Sequence, residues 1–229
     1  MTTLTAPRIT VLPSPKSIRT TRQWEEFLKA LSTSVKREVE EVRIPAVQVI
    51  AVSGNEPPAS KQFQNAIAVL YGIAYGLKMG LKFGKLPRPE GYFDFRIAAL
   101  DTLWWSEDGV IDISNPKTLR WQAYLMLPAF IDRKLVERAR EAALAKHPEI
   151  PYGTATLTTV NEGRSVQILH VGPYDKEQPT IEELHEYIAD HGLAVKGKHH
   201  EVYISDPRRT KPDKLKTVIR LPVKRAATR

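Results

Sequence analysis

Two pairs of similar segments constrain the fold of this chain more than any other feature of its sequence. Val47–Gly54 and Val166–Pro173 are close copies, and each is followed by a turn and then by a helical pattern. Further along, Leu119–Pro128 resembles Leu215–Pro222. The order strand–helix–strand–strand therefore occurs twice, which indicates an internal repeat. It predicts an α+β fold of two β-α-β-β units.

Two such units would bury their helices on one side of a sheet and leave a concave face between them, a usual place for a ligand. The first repeat is expected over about residues 44–128 and the second over about 163–223. A linker helix over about 131–146, with small and aliphatic residues on one side, is predicted between them.

Hydrophobic periodicity predicts the remaining helices and strands. Apolar residues at helical spacing predict one amphipathic helix from Trp24 to Val42. Ser60 is the expected N-cap of a helix that runs to Lys82, and Thr180 is the expected cap of a helix that ends near His191. Alternating side chains predict one long strand over Tyr92–Trp105. In the second helix three glycines at every fourth position form a smooth strip that would admit another backbone: Gly72, Gly76 and Gly80.

The net charge of +8 lies mainly in the two ends of the 229-residue chain. Residues 1–22 carry +4 and residues 224–229 carry +3, which leaves only +1 for residues 23–223. We expect a flexible arm over 1–22 and a basic tail over 224–229. Because the body is almost neutral, nucleic acid is not an expected partner.

The composition also limits compartment, cofactor and membrane partners. The chain has no cysteine, which excludes disulfides and thiolate sites and fits a cytoplasmic location. Its longest apolar run, Ala66–Leu77, is too short to cross a bilayer, and no secretory signal is present, so no membrane partner is predicted. There is no phosphate loop, nucleophile elbow or dinucleotide motif, and we predict no cofactor.

The residues of possible chemical interest lie on one strand and one helix. Glu201 and Tyr203 share a face of a predicted strand, and the sequence leaves open whether that face lines a pocket or meets solvent. An alternative for Glu201 is an ordinary strand carboxylate paired with Arg or Lys. Tyr71 and Tyr75 share a helix face, where covering the edge of the core is the simpler interpretation.

Two further interpretations concern the neighbours of these residues. Trp105 and Glu201 each lie 14 residues before a copy of the last repeated strand, so they are expected at related positions across the concavity. His199 and His200 have no further ligand at metal-binding spacing, and we interpret both as surface residues rather than a metal site.

Three segments together resemble the GyrI-like small-molecule-binding family. They are Leu169–Asp175, Gly192–Leu193 and His200–Val223, and the resemblance extends over about residues 44–224. It implies two β-α-β-β units with pseudo-twofold symmetry, antiparallel sheets with the helices on one side, and a ligand cleft between the repeats. The small-molecule-binding domain would span residues 23–223.

The family's functions range from sensing to catalysis. Relatives include ligand-binding domains of multidrug-sensing regulators, a gyrase inhibitor and stand-alone proteins that hydrolyse cyclopropane-bearing genotoxins. The resemblance implies that Glu201 and Tyr203 are catalytic residues in the cleft. It also implies four ligand-binding aromatic residues: Tyr71, Tyr75, Trp104 and Trp105. We add Tyr152 to this set.

The chemistry of cyclopropane opening requires a base, a hydrogen-bond donor and a flat aromatic slot. Glu201 would be the base acting on water, and the donor is left open among Tyr71, Tyr75 and Tyr203. The expected ligand is a bulky, flat, hydrophobic molecule. The alternatives are a non-catalytic binding or sensing module and a gyrase-inhibitor-like factor with a protein partner; the oligomeric state is left open.

Overall fold

A computed structural model describes residues 9–106 and 118–227. The expectations for residues 1–8 of the arm, for the connection over 107–117 and for the last two residues of the tail lie outside the described residues.

The described residues form ten strands and four α-helices. In chain order they are β1 (Thr10–Val11), α1 (Thr21–Leu31), β2 (Glu40–Ile44), β3 (Val47–Gly54), α2 (Lys61–Lys82), β4 (Leu100–Ser106), β5 (Leu119–Met126), α3 (Arg133–Leu144), β6 (Thr156–Val160), β7 (Gly163–Val171), α4 (Gln178–Asp190), β8 (Leu193–Val195), β9 (His199–Tyr203) and β10 (Lys216–Arg225).

The strands form one curled sheet that resembles a half-barrel. Its order is β1-β2-β7-β10-β9-β4-β5-β3-β6, and β8 pairs with the far end of β10. The central pair is β9 and β4; outward from it lie β10 and β7 on one side and β5 and β3 on the other. The two repeats therefore meet at antiparallel β4 and β9, and the expected α+β fold of two β-α-β-β units is confirmed.

Helices α2 and α4 cover the same face of this sheet, as expected from the repeat. Phe63 of α2 contacts the Trp121 ring of β5 edge-on, and Leu184 of α4 packs in a cluster with Ile219 of β10. Ile219 is paired with Glu201 across the ladder, so it points to the same side of the sheet as that carboxylate. The gap between the two helices therefore lies over β4 and β9.

The helix predicted from Trp24 to Val42 is too long, and this prediction is wrong at its second half. Helix α1 ends at Leu31, and the Ser32 hydroxyl donates to the carbonyl of Leu28. Three consecutive hydroxyl residues, 32–34, are poor helix formers because their side chains compete for backbone groups. Val42 instead belongs to β2, which pairs with β7.

The long strand predicted over Tyr92–Trp105 is also corrected, since only Leu100–Ser106 is a strand. The preceding segment keeps the alternation, with Phe93 and Phe95 buried, but it does not enter the sheet. Two of its backbone carbonyl groups accept hydrogen bonds from side chains instead. The Trp24 indole donates to Arg96 O at 2.8 Å, and the Lys78 ammonium group donates to Phe95 O.

The start of α4 differs from the prediction as well. The N-cap position is occupied by Glu177, and Pro179 lies in the first turn, where its missing N–H costs nothing. The Thr180 hydroxyl, the expected cap, is hydrogen-bonded to Nδ1 of His170 at 2.9 Å. The end of the helix is as expected, because Gly192 adopts a positive φ of 60° after it.

Parts of the predicted arm and tail pack on the domain. Thr10–Val11 pair in parallel with β2, and the side chain of Ile18 is buried. At the other end, Lys224 and Arg225 belong to β10 and pair with β8.

Candidate functional site

The gap between the two repeats forms a cleft of about 1260 Å³. Its floor is the central strand pair, and its walls include parts of α1, of α2 and of the segment that leads into α4. The volume is somewhat above the range of about 300–1000 Å³ that is typical of small-molecule sites. The lining is rich in aromatic and aliphatic groups, including Phe63, Ile67, Tyr71, Trp104, Tyr174 and Tyr203.

Glu201 lies on the floor of this cleft and is 8% exposed. Strand alternation places His199, Glu201 and Tyr203 on the same face of β9. The Tyr203 hydroxyl donates to Oε2 of Glu201 at 2.6 Å, and Nε2 of His199 lies 3.0 Å from Oε1. The Trp104 indole N–H in turn donates to the Tyr203 oxygen at 3.3 Å. These side chains hold the Glu201 carboxylate in one orientation.

The surroundings of Glu201 favour its ionised form. Burial by itself would raise the pKa of Glu201, but the hydrogen bond and charge of His199, together with the hydrogen bond from Tyr203, outweigh it and lower the pKa below the usual value. The same contacts act on Tyr203, since burial and the negative charge of Glu201 raise the pKa of its phenol well above normal. Tyr203 therefore remains a proton donor to an ionised Glu201.

A second carboxyl group, which the sequence analysis missed, lies in the same cleft. Glu177 lines the cleft and is only 3% exposed, and its Oε1 has no hydrogen-bond partner among the described residues. Burial, followed by the negative charge of Glu201, raises the pKa of Glu177 to about 9, and Thr217 offsets this in part. At neutral pH one carboxyl group of the cleft is ionised and the other carries a proton.

One signal in the sequence could have indicated Glu177. It lies between Tyr174, which belongs to the family-like segment, and Pro179, which marks the first turn of a helix. A residue just before the first turn of a helix is expected to cap it. The Glu177 side chain makes no capping hydrogen bond. Glu177 is instead one of the residues that line the cleft.

The predicted ligand-binding residues divide into those that line the cleft and those that do not. Tyr71 and Tyr75 both line it, with ring centroids 6.2 Å apart, and Tyr75 is 52% exposed at the rim. Trp104 lies on the floor, with its ring stacked on Phe63 at 5.7 Å. The sequence left Trp104 and Trp105 as alternatives, and only Trp104 reaches the cleft.

Trp105 and Tyr152 lie elsewhere. Trp105 follows Trp104 on the same strand and so points to the opposite face of the sheet, where the Lys198 ammonium group lies 3.2 Å from its ring centroid. It does not occupy a position related to Glu201 across the concavity. Tyr152 is buried against Gly72 of α2, away from the lining of the cleft.

The interpretation of His199 and His200 as surface residues is wrong. His199 is 3% exposed and bonds to Glu201, whereas His200 is fully buried on the opposite face of β9. There His200 Nε2 lies 2.9 Å from Asp101, and its Nδ1 lies 2.9 Å from Glu162. These acids are 99 and 38 residues away in the chain, so local spacing could not reveal the pairs.

Arg220 completes this buried cluster behind the cleft. It is fully buried and donates to Gln167 at 2.9 Å and to the carbonyl of Leu31 at 2.9 Å. Burial by itself would lower the pKa of His200, but the charge of Glu162 and the hydrogen bonds that His200 donates to both acids raise it to about 9. The strand that carries Glu201 is therefore held from behind by a charged network.

Within residues 9–106 and 118–227, no cluster of three or more His, Cys, Asp or Glu side chains is arranged to hold a metal ion. In the same part of the chain, no helix has the length and apolarity needed to span a membrane.

The duplicated fold and its aromatic cleft define a small-molecule-binding domain. The model of the family described as "GyrI-like small molecule binding domain" matches residues 142–224. A solved structure of an uncharacterized conserved protein from Listeria innocua is 35% identical, with a TM-score of 0.79 over 86% of this chain and 98% of that one. The chain belongs to the GyrI-like family.

Two other solved structures extend the comparison. A structure described as a hydrolase from Listeria innocua is 33% identical, with a TM-score of 0.77 over 90% of this chain and 100% of that one. The C-terminal domain of EcmrR is 15% identical, with a TM-score of 0.53 over 82% of this chain and 98% of that one, and it shows similarity of fold alone. No curated protein matches the sequence.

Proposed function

We propose that this protein binds bulky, flat, hydrophobic molecules in the central cleft and hydrolyses cyclopropane-bearing electrophiles there, with Glu201 as the general base. Such a reaction would detoxify alkylating compounds, and the absence of cysteine fits its action in the cytoplasm. The observation that carries the proposal is an ionised carboxylate buried on the floor of an aromatic cleft.

The lining supports the expected ligand class. Trp104 on the floor and Phe63 on the wall form one stacked pair, and Tyr71 and Tyr75 form another on α2. Flat rings can insert against such surfaces with favourable dispersion and little polar desolvation. The volume of about 1260 Å³ accommodates a ligand of several fused rings together with a water molecule.

The hydrogen bonds of Glu201 leave it able to act on water. A carboxylate has about four acceptor positions, and Tyr203 and His199 occupy one on each oxygen. A remaining position can accept a hydrogen bond from a water molecule that faces the ligand. Because the Tyr203 proton is used to hold Glu201, Tyr203 is assigned to orienting the base rather than to binding the substrate carbonyl.

The comparisons supply coarser support. A relative that is 33% identical is described as a hydrolase, which agrees with a reaction that consumes water. Neither that description nor the family model specifies a cyclopropane substrate.

The test is incubation with a naphthalene-fused spirocyclopropyl dienone, with the ring-opened product measured by mass spectrometry. We expect Glu201→Gln to lower the rate by about 10²–10⁴-fold, the usual contribution of a general base. Glu183→Gln, an exposed carboxyl on α4, is the matched control and should keep the wild-type rate. Equal slow turnover by wild type and Glu201→Gln would remove the enzymatic part of the proposal.

The alternative is binding without turnover, and one observation favours it. An anionic Glu201 among aromatic rings is also a suitable site for a lipophilic cation, held by charge and by cation–π contact. Tight binding of such a cation with no ring-opened product from the dienone would support a sequestering or sensing module.

A further inference from the structure

One oxygen of the Glu177 carboxyl group, Oε1, lacks a hydrogen-bond partner among the described residues. Glu177 occupies the N-cap of α4 without capping the helix, and it is 3% exposed. A buried polar atom without a partner is costly, so such atoms need an explanation. The cleft that Glu177 lines is the evident place for a missing partner.

Proximity to Glu201 determines which of the two groups is ionised. Two carboxylates that interact in a buried site cannot both keep a full charge at low cost. Glu201 is contacted by the donors Tyr203 and His199, whereas Oε1 of Glu177 meets none. The negative charge therefore resides on Glu201, and Glu177 holds the proton. A neutral carboxylic acid has one O–H group to donate.

We propose that Glu177 is the hydrogen-bond donor of the cleft, a neutral carboxylic acid that donates to a carbonyl oxygen of the bound ligand. This inference rests on the proposed function for its catalytic role. It also specifies the ligand class: a flat, neutral molecule that carries a carbonyl group as well as aromatic rings. The sequence analysis left the donor open among three tyrosines. The proposed donor is instead Glu177, which that analysis did not select.

The two carboxyl groups then complete a balanced reaction. Glu201 accepts a proton from water as the water oxygen forms a bond to a cyclopropane carbon. The strained carbon–carbon bond breaks, and its electron pair moves through the dienone to the carbonyl oxygen, which takes the proton of Glu177. The product is a phenol that carries the added hydroxyl group. Glu201 is left protonated and Glu177 ionised, and transfer of one proton from Glu201 to Glu177 restores the starting state.

The protonation state is tested without any ligand or turnover. Infrared difference spectra between wild type and Glu177→Gln at neutral pH should contain the carbonyl stretch of a protonated carboxylic acid. Glu183→Gln, at an exposed carboxyl on the same helix, should give only a carboxylate band. A carboxylate band from Glu177 at neutral pH would overturn the proposal.

The donor role is tested with two probes that differ only at a carbonyl group, 9-fluorenone and fluorene. Wild type should bind the ketone about fivefold to tenfold more tightly, the effect of about one net hydrogen bond. Glu177→Leu should remove this preference, and Glu177→Gln should restore part of it, since an amide N–H can donate. Equal or absent affinity of the wild type for the two probes would overturn the donor role.

Turnover of the spirocyclopropyl dienone separates this inference from the proposed function. If the preference for the ketone depends on Glu177 but no ring-opened product forms, the hydrolase proposal fails and the donor assignment stands. If product forms at the same rate in Glu177→Leu and wild type, the hydrolase proposal stands and the catalytic role of Glu177 fails.

Discussion

Glu201 and Glu177 share one cleft but have different surroundings, and this difference gives the site its chemical asymmetry. The Glu201 oxygens meet the Tyr203 hydroxyl and the His199 imidazole, so that the charged form is favoured despite burial. Glu177 is buried as well, but only Thr217 offsets the effect of burial, and only in part. Identical functional groups therefore occur in two protonation states at neutral pH, as a site that uses both a base and a proton donor requires.

Tyr203→Phe should raise the pKa of Glu201, because it removes a hydrogen bond that favours the carboxylate. It should also lower the free energy of unfolding near neutral pH by about 1–3 kcal/mol, since a buried acceptor loses its donor. Carboxyl NMR titration with labelled glutamate and denaturant unfolding measure the two effects. Tyr92→Phe, whose ring contacts Phe130, is the control and should leave the pKa of Glu201 unchanged.

Glu177→Gln should stabilise the protein as the pH rises. The folded protein keeps a proton on Glu177 from the ordinary pKa of 4.5 up to about 9, whereas the unfolded chain loses it. The folded state binds more protons in this window, so Glu177 makes the free energy of unfolding fall with rising pH. The variant should become more stable than wild type, with a difference that grows by at most about 1.4 kcal/mol per pH unit.

The stability of Glu177→Gln must be compared with that of wild type at each pH, because His200 also makes the free energy of unfolding fall as the pH rises. Its raised pKa of about 9 contributes stability that is lost as the pH rises through that value. Glu183→Gln should follow the wild-type pH profile. A constant difference between Glu177→Gln and wild type across the window would contradict the raised pKa of Glu177.

Helix α2 is the element that joins the cleft to the rest of the first repeat. One side carries Tyr71 and Tyr75 toward the ligand space, and the glycine strip on another side receives neighbours at close range. At Gly72 an added Cβ would lie 2.7 Å from the Tyr152 ring, whereas at Gly76 it would lie 3.5 Å from the Ala139 Cβ of α3. Gly80 is as tight as Gly72, since an added Cβ there would lie 2.8 Å from the Leu86 side chain. The backbone approach predicted from the glycine strip occurs only at Gly76, where the backbone of Ala139 is a neighbour.

Alanine at Gly72 and alanine at Gly76 should therefore have opposite effects on stability. Gly72→Ala should destabilise the protein by about 1–3 kcal/mol, because the buried Tyr152 ring must move from a packed position. Gly76→Ala meets an ordinary contact and should gain up to about 1 kcal/mol from helix propensity. Denaturant unfolding of both variants measures this, and equal destabilisation would contradict the difference in packing.

Over the whole molecule, the two repeats are joined by a sheet centre that differs in chemistry on its two faces. The face toward α2 and α4 holds the cleft, and the opposite face holds the buried cluster of Asp101, Glu162, His200 and Arg220. Asp101 comes from the first repeat and His200 from the second, so their contact crosses the junction. The cluster packs against the face of β9 opposite the cleft, and this contact fixes the position of Glu201 on the cleft floor.

Arg220→Met should destabilise the protein by about 3–5 kcal/mol, because it removes the cation paired with the buried Glu162 and leaves His200 alone to compensate two buried carboxyl groups. Arg22→Met, which removes an exposed ion pair with Glu26 on α1, is the matched control and should change the stability little. Urea unfolding measures both. If the two variants unfold at the same urea concentration, the cluster does not hold the halves together.

The repeated β-α-β-β order was predictable because its signals are local. Strand alternation, the Ser60 N-cap of α2 and the glycine at the end of α4 are all properties of neighbouring residues. Glu201 and Tyr203 were likewise predicted as a pair, since residues two apart on a strand share a face. The misplaced end of α1 shows the limit: the spacing of Trp24 to Val42 fits a helix, but hydroxyl residues and pairing with β7 override it.

The sequence by itself determined the duplicated architecture, the family and the shared strand face of Glu201 and Tyr203, because short-range periodicity and a continuous motif carry that information. Only the tertiary structure decided that Trp104 rather than Trp105 reaches the cleft, that His200 is buried among distant acids and that Glu177 faces Glu201 in one cavity. These outcomes depend on strand register and on contacts between residues far apart in the chain, and a protonation state depends on every charge and donor that folding brings near.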